Sequence, residues 1–238
     1  MSEEFQRTEM LLGADGMRKL AASRVAVFGI GGVGGYAAEA LVRSGIGAID
    51  LIDADKVGVS NLNRQIIALH STVGQPKVEA AAARFRDINP ALVVRCHSTF
   101  VLAETVSEFD FSAYDYVVDA IDTVSGKLCL IQQAMASGTP IISAMGTGNK
   151  LDPTKLVITD ISRTSMCPLA RIMRKELRKR GIDHLKVLFS TEEPLPAAAL
   201  TDEEHPGRRS IPGSTAFVPP AGGLIIASQV VRDLINAI

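Results

Sequence analysis

The sequence predicts an α/β protein built on a doubly wound, mostly parallel sheet, with an irregular α+β C-terminal part completing that sheet. Three observations carry the prediction. Residues 24–30 (Arg-Val-Ala-Val-Phe-Gly-Ile) form an apolar, β-branched run of the kind found in strands buried on both faces. Strand-like runs then alternate with helical ones as far as Ala144. Acidic residues stand where the strands end, at Asp53, Asp119 and Asp122, and that end of a parallel sheet is where ligands bind.

Glycines follow the first strand at once, and residues 36–44 read as a helix with Gly45 as its C-cap. Residues 48–53 are the second strand, and residues 54–75 are polar and loop-like. Pro76 opens a helix over 76–88, and Asn89-Pro90 stops it. Strands are expected at 92–97, 116–120 and 140–144, with a helix over 127–137. Beyond these the pattern loosens: a strand at 157–160, a helix at 168–180, a strand at 185–190, a strand-like stretch at 215–218 and a closing helix at 223–235. Residues 191–213, rich in Pro, Glu and Gly, read as a long mobile loop. The whole, residues 1–238, is expected to be one unit, with a nucleotide-binding core over about 1–157 and a substrate-side segment over about 158–238.

Composition sets outer bounds. Apolar residues make up 47% and charged residues 21%, which suits an ordered core. The net charge of -1 means that any basic surface must be local. Cys96, Cys129 and Cys167 are scattered and form no CxxC pair, which argues against a disulfide framework or a four-cysteine zinc site and suits a reducing cytoplasm. The acidic N-terminus lacks a signal-peptide core, and no apolar run is long enough to span a bilayer.

The loop after the first strand reads Gly29-x-Gly31-x-x-Gly34, with Gly32 inside it. Glycine lets the backbone approach phosphates, and the following helix N-terminus supplies positive potential. Asp53 ends the next strand, where a carboxylate accepts hydrogen bonds from ribose. Taken alone, this pattern favours NAD. The downstream polar block turns the reading to ATP, because a triphosphate needs cations, amide donors and a carboxylate able to hold Mg2+. Arg64 and Lys77 supply cations, Asn61 supplies donors and Asp122 supplies the metal contact.

These motifs together, Gly29-x-Gly31-Gly32-x-Gly34, Asp53-x-Asp55 through Ser60-Asn61-x-Asn63-Arg64-Gln65, Gly74-x-x-Lys77 and Asp119-x-x-Asp122, resemble the ubiquitin-activating-like (ThiF/MoeB/HesA) adenylyltransferase superfamily. Its members activate a carboxylate with ATP and release pyrophosphate. The resemblance implies a nucleotide site of Gly29, Gly31, Gly32, Gly34, Asp53, Asp55, Asn61, Arg64, Gln65, Lys77 and Asp122. In it Asp53 binds ribose, Asn61, Arg64 and Lys77 bind phosphates, and Asp122 is the essential acid beside Mg2+. Arg7 resembles the arginine that reaches into the neighbouring subunit's site, which implies a homodimer with shared active sites.

The later segments resemble one branch. Thr159-Asp160-Ile161, Thr164, Pro168-Leu169-Ala170-Arg171, residues 187–194 and Gly213-Ser214-x-x-Phe217-Val218-Pro219 are similar to the tRNA threonylcarbamoyladenosine dehydratases. These adenylate the threonyl carboxylate of a modified adenosine in tRNA, after which a tethered nucleophile closes the ring. Arg171, Arg174, Lys175, Arg178 and Lys179 cluster on one helical segment of an otherwise neutral chain, near Arg163 and Arg180, and are candidates for contacts with tRNA phosphates. Cys167 has no activating neighbour in sequence and reads as a packing residue. Two alternatives stay open: activation of a small sulfur carrier ending in Gly-Gly, with a sulfur-transfer protein as partner, and an NAD-binding oxidoreductase.

Overall fold

A computed structural model describes residues 3–196 and 212–236. Seven strands, β1 (Arg24–Phe28), β2 (Ala48–Ile52), β3 (Val93–His97), β4 (Tyr116–Asp119), β5 (Ile141–Ala144), β6 (Leu156–Asp160) and β7 (Lys186–Ser190), form one sheet in the order β3-β2-β1-β4-β5-β7-β6. All neighbouring pairs are parallel except β6–β7, which is antiparallel. The chain runs outward from β1 to β2 and β3, then returns to lay β4 on the other side of β1. That reversal opens a crevice at the carboxyl ends of β1 and β4. The expected doubly wound sheet is present, and the C-terminal part completes it through β7 and the reversed edge strand β6.

Among the described residues six α-helices cover the sheet: α1 (Gln6–Ala22), α2 (Gly34–Arg43), α3 (Lys77–Ile88), α4 (Val124–Ala136), α5 (Pro168–Arg178) and α6 (Val218–Ile235). On one face Phe5, Leu20, Leu41, Phe85 and Val230 pack beneath α1, α2, α3 and α6. On the other, Phe28, Phe111, Leu130 and Met173 pack beneath α4 and α5. Strands β1, β2, β4 and β5 are buried along nearly their whole length, which is why they read as continuous apolar runs. Helices α2 and α6 cross at backbone distance. A Cβ on Gly223 would lie 2.3 Å from the Val33 carbonyl oxygen and 2.8 Å from the Ala37 nitrogen.

Two expectations need correction, and one element went unforeseen. Residues 215–218 are not a strand; Val218 begins α6, whose first turn carries Pro219 and Pro220. Proline is tolerated there because the missing N–H would be unpaired anyway. The closing helix therefore starts five residues before the expected Gly223. Helix α1 was not read from the sequence. It breaks at Gly13, where φ is +71°, and doubles back so that Phe5 and Met17 both pack against Gly45. Most of the expected loop at 191–213 lies outside the described residues. Among the described residues no helix is long and apolar enough to cross a membrane.

Candidate functional site

The glycine loop contains glycines of two kinds. Gly29 sits at φ +91° and donates its N–H to the Ile52 carbonyl at 2.7 Å; a Cβ there would lie 2.7 Å from the Ala120 oxygen. A Cβ on Gly34 would lie 1.8 Å from the Gly29 oxygen. The fold itself requires these two. A Cβ on Gly32 would come within 3.1 Å of Pro219 and 3.5 Å of the Arg64 side chain. Among the described residues a Cβ on Gly31 would meet only Gln65 Nε2, at 3.9 Å, and they leave that face open. The N–H groups of Gly31, Gly32 and Val33 donate to no group among the described residues. They lead into the N-terminus of α2, an arrangement suited to anions.

Asp53 anchors this loop to the polar block. Its Oδ2 accepts from Ile30 N at 2.7 Å and its Oδ1 from Asp55 N at 2.8 Å. Lys77, almost buried, reaches Asp53 Oδ2 at 3.4 Å and Asp55 Oδ2 at 2.8 Å. Backbone pairs Val57–Gln75, Gly74–Val57 and Lys77–Asp55 hold the two ends of the block together. Asn61 Oδ1 accepts from Gly58 N at 3.0 Å, and the Arg64 guanidinium donates to Ser60 O and Asn63 Oδ1, both at 2.8 Å. Gln65 is buried, and its Oε1 has no donor among the described residues. A buried carbonyl without a partner is costly. The amide nitrogen of the same side chain is the atom nearest the open face of Gly31. The donors and acceptors present thus fit a nucleotide.

Asp122 lies three residues beyond β4, exposed, on the loop leading to α4. Ala120 N donates to Phe28 O at 2.8 Å, and Ala120 packs on Gly29, so the acid is carried beside the glycine loop. Beneath it lies a group that the sequence reading missed. The Lys127 ammonium, 0% exposed, donates to Asp119 Oδ1 and Oδ2, both at 3.0 Å, to Ser143 Oγ at 3.3 Å and to Ala144 O at 2.7 Å. One signal was available: Asp119 ends a fully buried strand, and a buried carboxylate demands a cation or several donors.

The third wall comes from the C-terminal part. Asn63 Nδ2 donates to Ser214 O at 3.0 Å. Asn149 and Gly213 exchange two hydrogen bonds, at 2.8 and 2.6 Å, and Leu195 N donates to Asn149 O at 2.8 Å. Both flanks of residues 197–211 are therefore fastened to the strand-end loops. Cys167 is buried and caps α5, its Sγ accepting from Ala170 N at 3.5 Å and lying close to Gly146.

Two groups of expected site residues lie elsewhere. Exposed Arg7 follows Phe5, which packs at the far end of α2; that ten-residue helix separates it from the chain's own glycine loop by about 15 Å. On α5, Arg171, Lys175 and Arg178 form an exposed stripe at helical spacing, opposite buried Ala170, Met173 and Leu177. Arg174 is instead turned onto Thr164, 2.8 Å from its carbonyl and 2.6 Å from its hydroxyl. Lys179 and Arg180 are held by Glu176.

Residues 5–234 match the ThiF family. A tRNA threonylcarbamoyladenosine dehydratase of Bacillus subtilis is 44% identical over 246 aligned positions, covering 100% of this chain and 97% of that protein. One from Escherichia coli is 41% identical over 201 positions, 80% of this chain and 74% of that one. The structure superposes on crystal structures of the E. coli enzyme TcdA in complex with ATP and with AMP. Each gives a TM-score of 0.88 and covers 98% of this chain and 94% of that one, at 36% and 35% identity. These full-length likenesses favour neither the sulfur-carrier reading nor the NAD reading. The chain belongs to the ThiF family and, within it, to the tRNA threonylcarbamoyladenosine dehydratases.

Proposed function

We propose that this protein uses ATP to adenylate the carboxylate of threonylcarbamoyladenosine in tRNA, so that the side chain cyclises with net loss of water. The observation that carries the reading is the strand-end crevice itself. Supporting it, Gln65 Nε2 lies by the open face of Gly31, Arg64 lies by Gly32, Asp53 joins the Ile30 amide to Lys77, and the loop that carries exposed Asp122 packs on Gly29 through Ala120. A carboxylate is a poor electrophile. Its attack on the α-phosphorus of ATP expels pyrophosphate and leaves a carbonyl bearing AMP as leaving group. A nucleophile already tethered in the same side chain then closes on that carbonyl and releases AMP, a step that needs mostly positioning. No cysteine is required, in keeping with the buried, capping role of Cys167.

In this reading Asp53 holds the ribose, while Asn61, Arg64, Lys77 and the loop amides hold the phosphates. Lys77 is already poised between two carboxylates that compete for it. Asp122 would hold Mg2+, whose charge would offset that of the leaving pyrophosphate. Arg7 acts in a second copy of the chain, since α2 separates it from its own crevice. That makes a homodimer with shared sites the working unit. The stripe of Arg171, Lys175 and Arg178 takes tRNA phosphates, and the cytoplasm is where that substrate is met.

The test is incubation with ATP, Mg2+ and tRNA carrying threonylcarbamoyladenosine, followed by nucleoside mass spectrometry. The expected product is the nucleoside lighter by one water, formed only with ATP. An unchanged nucleoside overturns the proposal.

A further inference from the structure

The buried charge cluster beneath the β4–α4 loop has no part in the chemistry above. We infer that Lys127 is a positioning residue for Asp122, acting through Asp119; the inference rests on the reading of Asp122 as the essential acid.

The pair is an unusual choice for stability alone. Lys127 and Asp119 are both 0% exposed. Removing two charges from water offsets most of their attraction, and apolar pairs often do as well. What the pair supplies is geometry. An ammonium has three protons, and here acceptors converge on it from two strand ends: Asp119, the last residue of β4, and Ser143 and Ala144, the last two of β5. The Ser143 hydroxyl in turn donates to Asp119 Oδ2 at 2.5 Å. One side chain of α4 thus fixes the ends of both strands that border the crevice on that side.

The connection to Asp122 runs through its neighbours. Asp119 Oδ1, held by Lys127, also accepts from Ile121 N at 3.3 Å. Gly126, beside Lys127, lets the loop rest directly on the first turn of α4. A Cβ there would lie 2.7 Å from Ile121 Cδ1 and 2.8 Å from Thr123 Oγ1. The residues on both sides of Asp122 are therefore seated on structure that Lys127 organises, while the Asp122 carboxylate itself stays exposed.

A merely structural pair and a positioning pair respond differently to double substitution. Lys127→Met strands a buried carboxylate and should lower both Tm and kcat. Asp119→Asn with Lys127→Met removes both charges and should recover Tm. In the positioning role kcat for tRNA cyclisation stays about 10²-fold below the parent, while KM for ATP stays within about twofold. Recovery of kcat together with Tm overturns the inference. Should the double variant not fold, Ser143→Ala, a smaller change, should fold with a modestly lowered Tm and lower kcat, measured well below that Tm, by about threefold to tenfold on the same grounds; an unchanged kcat overturns the inference equally. Asp122→Ala is run alongside. If it turns over normally, the reading of Asp122 has failed and the positioning role falls with it. If it is inactive while the Asp119/Lys127 double variant is fully active, only the positioning role has failed.

Discussion

Gly31 and Gly34 stand in one short loop and answer to different demands. The backbone of Gly29 occupies the space a side chain at 34 would need, whereas among the described residues Gly31 would meet only Gln65, at ordinary contact distance. Gly34→Ala should therefore cost about 1–3 kcal/mol of stability through overpacking, read as a lower Tm. Gly31→Ala should keep the parent Tm and weaken ATP binding, read by calorimetry. Asp122→Ala should keep its Tm and lose turnover, because the side chain is exposed and carries no packing. A mutant that unfolds, or one that works normally, contradicts the role. At this scale legibility followed sequence distance. Asp53, Arg64 and Lys77 belong to compact motifs whose spacing already suggests phosphate chemistry. Lys127 was hidden, because a lone lysine in a helix reads as solvated, and its partners come together only once β4 lies against β5.

Helix α5 presents one exposed stripe, in which Arg178 lies 3.9 Å from the Asp183 carboxylate, and a second set of charges tied down more closely within the helix and its surroundings. Replacing Arg171, Lys175 and Arg178 together by alanine should weaken tRNA binding and flatten its dependence on salt, by about 0.7 to 0.9 in log–log slope per lost phosphate contact. Arg174→Ala should instead lower Tm, since its guanidinium serves Thr164. Gel-shift titrations at several salt concentrations, with melting curves, separate the two outcomes. Helices α2, α3 and α5 were legible because their apolar stripes keep helical spacing. Helix α1 was not, because its turn at Gly13 divides the pattern into two short pieces and leaves Met10 and Leu11 exposed. The start of α6 was hidden by Pro219, Pro220, Gly222 and Gly223, which look like breakers. The prolines occupy the tolerated first turn, and the glycines let Leu188 and the backbone of α2 come close.

At the scale of the molecule, α6 is fastened to the sheet through Asp233, which accepts from Tyr116 of β4 at 2.6 Å, from Lys186 of β7 and from Gln229 at 2.8 Å. Burial pushes this carboxyl up, and the hydrogen bonds from Lys186, Tyr116 and Gln229, with the Lys186 charge, more than reverse that, leaving it below the usual carboxylate range. A depressed carboxyl contributes stability that is present above its unfolded value, near about 4, and is lost as pH falls through the folded value. Asp233→Asn should therefore lower Tm at neutral pH and give a shallower acid limb in a melting series from pH 7 to 3. The proposed sharing of sites between two copies belongs to this scale as well. A mixed dimer with Arg7→Ala on one chain and Asp122→Ala on the other should retain one intact site, and a wholly inactive mixture argues against sharing. The doubly wound order was legible in the alternation of elements, while the antiparallel β6 was not, because strand direction at an edge leaves no periodic trace in sequence.

The backbone-distance crossing of α2 and α6 has a mechanical consequence. With Gly223 against Val33 and Pro219 against Gly32, no slack remains between the glycine turn and the start of the last helix. Residues 212–218 hang from that helix and grip Asn63 and Asn149. The three pieces form a strut, so stiffening one end stiffens the other. Adding ATP should slow amide hydrogen exchange at 212–218 as well as at 29–35, the two segments being linked through Pro219, Asn63 and Asn149. Slowing confined to 29–35 would mean that the strut bends.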